Sequence, residues 1–581
     1  MQTSWKYQEY DSELVARLEE RTGMHSLLCQ LLVQRGITEP EDIHRFFHPS
    51  LTHLHQPFLM KDMDKAVTRL LMAAENGERV LLYGDYDVDG ITSVAFFYAF
   101  LKPHIQHLDY YIPDRYKEGY GLSSTGISYA SRTTASLIVS LDCGIKGIEP
   151  IREAKEAGID VIICDHHLPG EELPDAYAIL DPLQEDCPYP YKSLSGCGIA
   201  FKFAQALTDY AEWPDEDLWN LLDLVTVSIA CDLVPMTGEN RTLAYFGMQQ
   251  LNHSARPGLR ALVHESTTSF PVTTSDIIYY VGPMINAVGR LSDAREAVRL
   301  LLTEDKFVAQ DYARHLQRRN EERKRLDREV LEEAIAQVEA MPNLDDRKAL
   351  VLFKKEWHQG LIGITASRIA EQYHRPTVVL CEGDEELVGS ARTVNHFDLY
   401  EALNTCEPFL NSYGGHAHAA GMTMSEEKVE PFRNAFEQFV AEHIQPEQLN
   451  RVIRLSGELR LNELTDEFFH QLQLFAPFGP ENPNPVFASY GVYDTGQSRQ
   501  LKDDHLRLHL QQADSQPFFA IAFRQGRHWE QFQKHPADIC YSLSKNRWKG
   551  KSYIQLRIKD MKFSGILEQV ETKTAHDTSS L

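Results

Sequence analysis

Apolar positions along this chain follow three patterns, and the changes between them mark its elements. Short continuous runs of Val, Ile and Leu recur in the first half: RVLLYG at 79–84, SLIVSL at 136–141, DVIIC at 160–164 and LVTVSIAC at 224–231. Such runs predict strands buried on both faces. Helically spaced segments intervene, so a parallel α/β domain is expected over 61–303. KALVLF and TVVLCEG, separated by the helix expected after WHQG, predict a second α/β unit over 346–445. Between the two units, QRRNEERKRLDREVLEEAIAQVEA contains neither Pro nor Gly and predicts one long charged helix within 304–345. From 456 to 565 alternation takes over, as in HLRLHL and SYIQLRIKD, which predicts β-strands. Residues 1–60 read as a helical, polar extension with PEDIHRFFHPS as a turn-punctuated connector. Residues 566–581 read as a polar tail expected to be disordered.

Acids and imidazoles stand where the apolar runs stop. Asp85, Asp87 and Asp89 follow the first run and Asp142 the second; Asp165, His166 and His167 follow the third, and Asp232 the fourth. All four runs are expected to be strands. Ligands of open α/β sheets bind outside the carboxyl ends of parallel strands, so these side chains should converge. Carboxylates crowded at the end of a buried strand repel one another and lose solvation, which calls for a cation among them. Carboxylates with imidazole suit Mn²⁺ or Mg²⁺, the histidine favouring manganese, while zinc is disfavoured where no cysteine pair is near. DYDVDG also fits the opening of a calcium-binding EF-hand loop, but the twelfth position counted from Asp85 is Phe96 rather than glutamate.

Composition changes the picture in three respects. A chain of 581 residues holds several domains. No apolar stretch is long enough to span a bilayer, and the amino terminus lacks an apolar signal core, so a cytoplasmic protein without a membrane partner is expected. The nine cysteines include no CxxC pair and read as reduced core residues. The net charge of −26 opposes nucleic-acid binding, yet residues 496–563 carry thirteen Lys or Arg against six Asp or Glu. Phe518, Phe519, Phe523, Trp529, Tyr541, Trp548 and Tyr553 are interleaved there, as a surface that stacks bases and tracks a backbone requires, although many of these rings would equally serve a core.

GDYDVDGITS, LDCGI, CDHHLPG and SIACDLVP resemble, in order, the four motifs of the DHH phosphoesterase superfamily. WHQGLIGITASRIA, GSAR and GGHAHAAG are similar to its DHH-associated second domain. FAPFGPENPNPVF is similar to the segment that opens a third domain in the branch of single-stranded-DNA exonucleases. The resemblance implies an α/β fold: a DHH domain and a DHH-associated domain joined by the long helix, followed by a C-terminal OB-fold β-barrel. It implies 5′→3′ hydrolysis of single-stranded DNA with two ions, Mn²⁺ or Mg²⁺, drawn from Asp85, Asp87, Asp89, Asp142, His166 and Asp232 as ligands. Where many members place a histidine ahead of the first aspartates, this chain has Tyr83 and Gly84. Asp165 and His167 are expected to orient ligands or water, and His416 to polarise the scissile group. Arg115, Arg290, Ser390, Arg392, Gly414 and Gly415 would face the strand or its terminal phosphate, and a channel between the two α/β domains would exclude duplex. Single-strand-binding protein and a helicase are implied partners, and a monomer is expected because one chain carries every motif.

Two other functions share parts of this pattern. A phosphodiesterase of short oligonucleotides or cyclic dinucleotides needs only the first two domains, and the basic third domain argues against it. A non-catalytic DNA-binding relative would have lost motif acids, and here all are present.

Overall fold

The structure, a computed structural model, describes residues 3–266, 268–291, 293–395, 397–548 and 551–563. Strand β1 (Ser4–Tyr7) is followed by helices α1 (Ser12–Thr22) and α2 (Ser26–Val33). The N-terminal extension is helical over much of its length but not polar throughout. SLLCQLLV is apolar at six of its eight positions and has to be buried. Leu27, Leu28, Leu31 and Leu32 share one core with Phe468, Phe487, Leu508 and Tyr541, from the opposite end of the chain.

Five parallel strands, β2 (Arg79–Gly84), β3 (His107–Tyr111), β4 (Leu137–Leu141), β5 (Asp160–Cys164) and β6 (Ala178–Leu180), form the first sheet in the order β3-β2-β4-β5-β6. The chain order reverses at β2, so the gap between β2 and β4 is the switch point of a doubly wound sheet. Helix α3 (Val88–Leu101) leaves β2 and packs against α4 (Gly196–Ala211) and α5 (Leu222–Cys231), while α5 also packs against α6 (Gly238–Ser254). This corrects one expectation. LVTVSIAC lies in helix α5, and Asp232 caps a helix C-terminus rather than ending a strand. The segment is apolar throughout because α5 is enclosed by other helices, and periodicity alone does not separate a buried helix from a buried strand.

Helix α7 (Lys306–Glu339), about 50 Å long at the α-helical rise, leads into the second sheet. Its strands are β7 (Leu350–Phe353), β8 (Thr377–Glu382), β9 (Leu387–Arg392), β10 (Ser412–His416) and β11 (Ala419–Met424), in the order β10-β11-β9-β8-β7. Only β7 and β8 pair in parallel. Helix α8 (Gln359–Tyr373) connects them and packs on α7.

Strand β12 (Val452–Leu455) pairs in parallel with β1 and opens the third unit. There β13 (Gly457–Glu458), β14 (Phe487–Asp494), β15 (Arg499–Gln500), β16 (Leu506–Gln511), β17 (Phe518–Ala522), β18 (Ala537–Trp548) and β19 (Lys551–Lys562) run in the order β13-β14-β18-β19-β17-β16-β15, and β14 pairs with β16 as well. Phe518 and Tyr541 are core residues, whereas Phe523 is exposed and Phe519, Trp529 and Tyr553 are half-buried. The Trp548 ring and the expected tail at 566–581 lie outside the described residues. The FAPFGPENPNPVF segment docks this unit on the first: Met236 N donates to Pro480 O at 2.8 Å, Thr274 Oγ1 to Phe478 O at 2.7 Å, and Arg241 Nη2 to Ala476 O at 3.2 Å. Among the described residues no helix is long and apolar enough to cross a membrane.

Candidate metal centre and end-binding pocket

The strand ends at the switch point are built by close backbone approach. Asp87 is the N-cap of α3, its Oδ1 accepting from Asp89 N at 2.9 Å and Gly90 N at 3.1 Å. A Cβ at Gly90 would lie 2.5 Å from the Asp85 carbonyl oxygen, so glycine allows the helix to begin directly over Asp85. Asp142 has φ 63°, a left-handed backbone that an aspartate tolerates better than most residues. A Cβ at Gly196 would come within 2.6 Å of the Asp142 Cβ.

His166 is the centre of the cluster. Its Nε2 lies 3.1 Å from Asp142 Oδ1, 3.6 Å from Asp232 Oδ2 and 3.7 Å from Asp89 Oδ2. Three overlapping sets, Asp142 with His166 and His167, Asp89 with His166 and Asp232, and Asp85 with Asp87 and Asp142, each bring one ligand atom per residue within 4.8 Å of the others. Burial, followed by neighbouring carboxylates, pushes Asp85, Asp87, Asp142 and Asp232 above the usual carboxylate range. Burial pushes His166 down, toward the neutral imidazole that a ligand must be. Asp85 Oδ1, Asp142 Oδ1 and His166 Nε2 are buried without a hydrogen-bond donor or acceptor. Buried carboxylate oxygens and an imidazole nitrogen that lack hydrogen-bond partners, in overlapping sets that share Asp142, are the donors a hard divalent cation takes, so the residues fit the ions the sequence implied.

Neighbouring groups hold this set in place. Asp89 accepts from Gly196 N at 2.7 Å and Cys197 N at 2.9 Å, at the N-terminus of α4, and from Ser228 Oγ at 2.6 Å. Asp165 accepts from Ile145 N, His166 N and His167 Nδ1 at 2.9, 2.8 and 2.7 Å. Burial alone would raise Asp165, but its bond from His167 leads the effects that draw it below the usual range; the same bond raises His167 against the effect of burial. Tyr120 donates to the Asp142 carbonyl at 3.0 Å, with its hydroxyl 3.1 Å from His167 Nδ1. Neither Tyr120 nor Ser228 was singled out by the sequence: a lone tyrosine in EGYG and a serine inside an apolar helix carry no signal of their own.

A second set converges where the two α/β domains meet. Arg115, Arg290, Ser390 and Arg392 line one cavity of about 500 Å³ beside the first turns of α8. Arg290 Nη1 donates to Gly360 O at 2.8 Å, Arg392 Nη1 to Ser390 Oγ at 2.9 Å, and the Arg115 guanidinium lies over the Tyr86 ring at 4.5 Å. Burial and then the nearby Arg115 charge lower Arg290 to about 10, and the same two causes lower Arg392. Gly415 and His416 line a different cavity, of about 440 Å³, with Tyr120, Asp165 and His167, which turns the β10–β11 hairpin toward the metal cluster. Gly414 lines neither cavity; it is exposed on β10, opposite Gly421.

The class of protein follows. Residues 79–229 match the DHH family N-terminal domain, 346–442 the DHHA1 domain and 455–560 the RecJ OB domain, the architecture of a DHH phosphoesterase. The chain is 35% identical over 561 residues to the single-stranded-DNA-specific exonuclease RecJ of Bacillus subtilis (strain 168), spanning 96% of this chain and 70% of that one. To its counterpart in Escherichia coli (strain K12) it is 33% identical, spanning 92% and 95%. The crystal structure of RecJ in complex with Mn²⁺ from Thermus thermophilus matches with a TM-score of 0.82 at 28% identity, over 96% of this chain and 79% of that one. The Mg²⁺ complex of the same protein matches at 0.76. The chain belongs to the RecJ family.

Proposed function

We propose that the chain is a 5′→3′ exonuclease that hydrolyses single-stranded DNA to mononucleotides with two divalent ions, Mn²⁺ or Mg²⁺, in DNA repair and recombination. The observation that carries this reading is the pairing of two sites: a buried carboxylate and imidazole cluster at the sheet's switch point, and an arginine pocket lined by both α/β domains. Asp85, Asp87, Asp89, Asp142, His166 and Asp232 would hold the ions, which supply charge neutralisation at phosphorus and an activated water. The remaining roles fall to the protein. Asp165 fixes the His167 ring through Nδ1, and Tyr120 ties that ring to the Asp142 backbone. His416, which lines one cavity with His167, would donate to the scissile phosphate. Arg115, Arg290, Ser390 and Arg392 would bind the terminal 5′ phosphate through charge-assisted hydrogen bonds, so that the chain end sets which bond reaches the cluster.

The third unit would grip the strand outside the channel. Arg507 lies over Phe519 at 4.9 Å and Arg557 over Phe523 at 5.7 Å, a combination of ring and cation suited to bases and phosphates. Nine free cysteines are consistent with the cytoplasm. All the site residues come from one chain, which supports a monomer, and single-strand-binding protein and a helicase are proposed as partners on family likeness. Asp142→Ala should abolish hydrolysis while retaining single-stranded-DNA binding in a gel-shift titration. Hydrolysis that persists in the variant would remove the metal assignment.

A further inference from the structure

Resting on the reading of the arginine cavity as the 5′-end site, we infer that this cavity accepts 5′-triphosphate ends as well as monophosphate ends, so that strands begun from a nucleoside triphosphate are substrates without prior dephosphorylation. The first support is its extent. Gln359, Gly360, Gly363, Ser367, Arg368 and Glu371 all line it, a stretch of α8 that rises about 18 Å and exceeds the length of one phosphoryl group several times over. Arg290 and Arg392 occupy only the first turns: Arg290 is bonded to Gly360 O, and Arg392 Nη2 lies 3.2 Å from where a Gly363 Cβ would stand. Ser367 and Arg368 lie a further turn along, and the exposed Glu371 ends the cationic stretch.

The second support is charge. Arg368 lines the same cavity as Arg115, Arg290 and Arg392 and extends their cluster along α8. Against these four guanidinium groups stand Asp327, 2.9 Å from Arg368, and Glu371. A terminal monophosphate brings only about −1.5 to −2 charges, which Arg115, Arg290 and Arg392 suffice to balance, so Arg368 and Ser367 stand beyond it for further phosphoryl groups. In the reaction, water adds to the phosphorus that links the first and second nucleotides and the bond to the first 3′ oxygen breaks. The first product then leaves as an intact nucleoside triphosphate with a 3′ hydroxyl, and the shortened strand keeps a 5′ monophosphate.

The test compares one single-stranded DNA sequence carrying a 5′ hydroxyl, monophosphate or triphosphate, with Mn²⁺, reading kcat/KM for each and the identity of the first product. The expected result is a triphosphate end cleaved within about threefold of the monophosphate, with nucleoside triphosphate as the first product. In the double variant Arg368→Gln/Asp327→Asn, which removes the pair together, the triphosphate-to-monophosphate ratio should fall by about tenfold, the effect of one charge-assisted contact. If the monophosphate is preferred over the hydroxyl but the triphosphate falls more than threefold below it, or yields no nucleoside triphosphate, the inference fails and the 5′-end reading stands. An unchanged ratio in the double variant also refutes it. Equal rates on all three ends would remove both.

Discussion

Asp142 belongs to two of the three candidate ligand sets. Its left-handed backbone turns the carboxylate from the end of β4 toward His166, and glycine at 196 leaves space for it. Strain of this kind persists where the surroundings fix it, here through Asp142 N donating to Cys164 O at 2.8 Å and the Tyr120 hydroxyl on its own carbonyl. Arg392 has the corresponding role on the facing domain. It is paired with Ser390 and sits in a cluster of like charges that an anion would relieve. Arg392→Ala should therefore lower kcat/KM far more on 5′-phosphorylated than on 5′-hydroxyl strands, by about tenfold or more for the loss of charge-assisted hydrogen bonds. An equal loss on both ends would move Arg392 out of the end-binding pocket.

At the level of elements, the four acid-bearing runs were legible as buried segments because covered strands and enclosed helices are both apolar throughout. Their types were not equally legible. β2, β4 and β5 are strands as read, but α5 is a helix, and its length does not distinguish it from a long buried strand. The partner of α2 could not be read either, since nothing local in SLLCQLLV points to the C-terminal strands it packs against. The residues of the candidate metal cluster were legible by type, whereas Ser228, Gly196 and Tyr120 act through contacts that only the fold creates. The helical placement of Asp232 has its own consequence. A carboxylate at a helix C-terminus faces the negative end of the helix dipole and, here, other buried acids, so it destabilises the fold unless a cation is bound. In EDTA, Asp232→Asn should raise Tm by about 1–3 °C in differential scanning calorimetry while its Mn²⁺-dependent hydrolysis is lost. A lower Tm in EDTA would contradict the role assigned to that carboxylate.

Across the whole molecule, the third unit is integral to the fold. β1 pairs with β12, α2 fills the core of the third unit, and the Ala476–Pro480 segment accepts hydrogen bonds from Met236, Arg241 and Thr274 of the first. Removing residues 456–581 would expose Leu27, Leu28 and Leu31, so point substitutions are the better probe of DNA binding. Replacing Arg507 and Arg557 together by alanine should weaken binding of long single strands. It should also reduce the slope of log K against log salt by about 0.7 for each phosphate that is no longer neutralised; an unchanged slope would place the strand elsewhere. An acidic chain of net charge −26 binds a polyanion only through such local surfaces.

The central claim is that one chain joins a metal cluster to a pocket for the 5′ end, and its most direct test is degradation of long single-stranded DNA labelled at either the 5′ or the 3′ end, with Mn²⁺, against duplex and dinucleotide controls. Immediate release of labelled mononucleotide from the 5′ end, gradual shortening of the 3′-labelled strand and sparing of duplex are the results expected. Loss of the 3′ label first, or cleavage of dinucleotides alone, would contradict it.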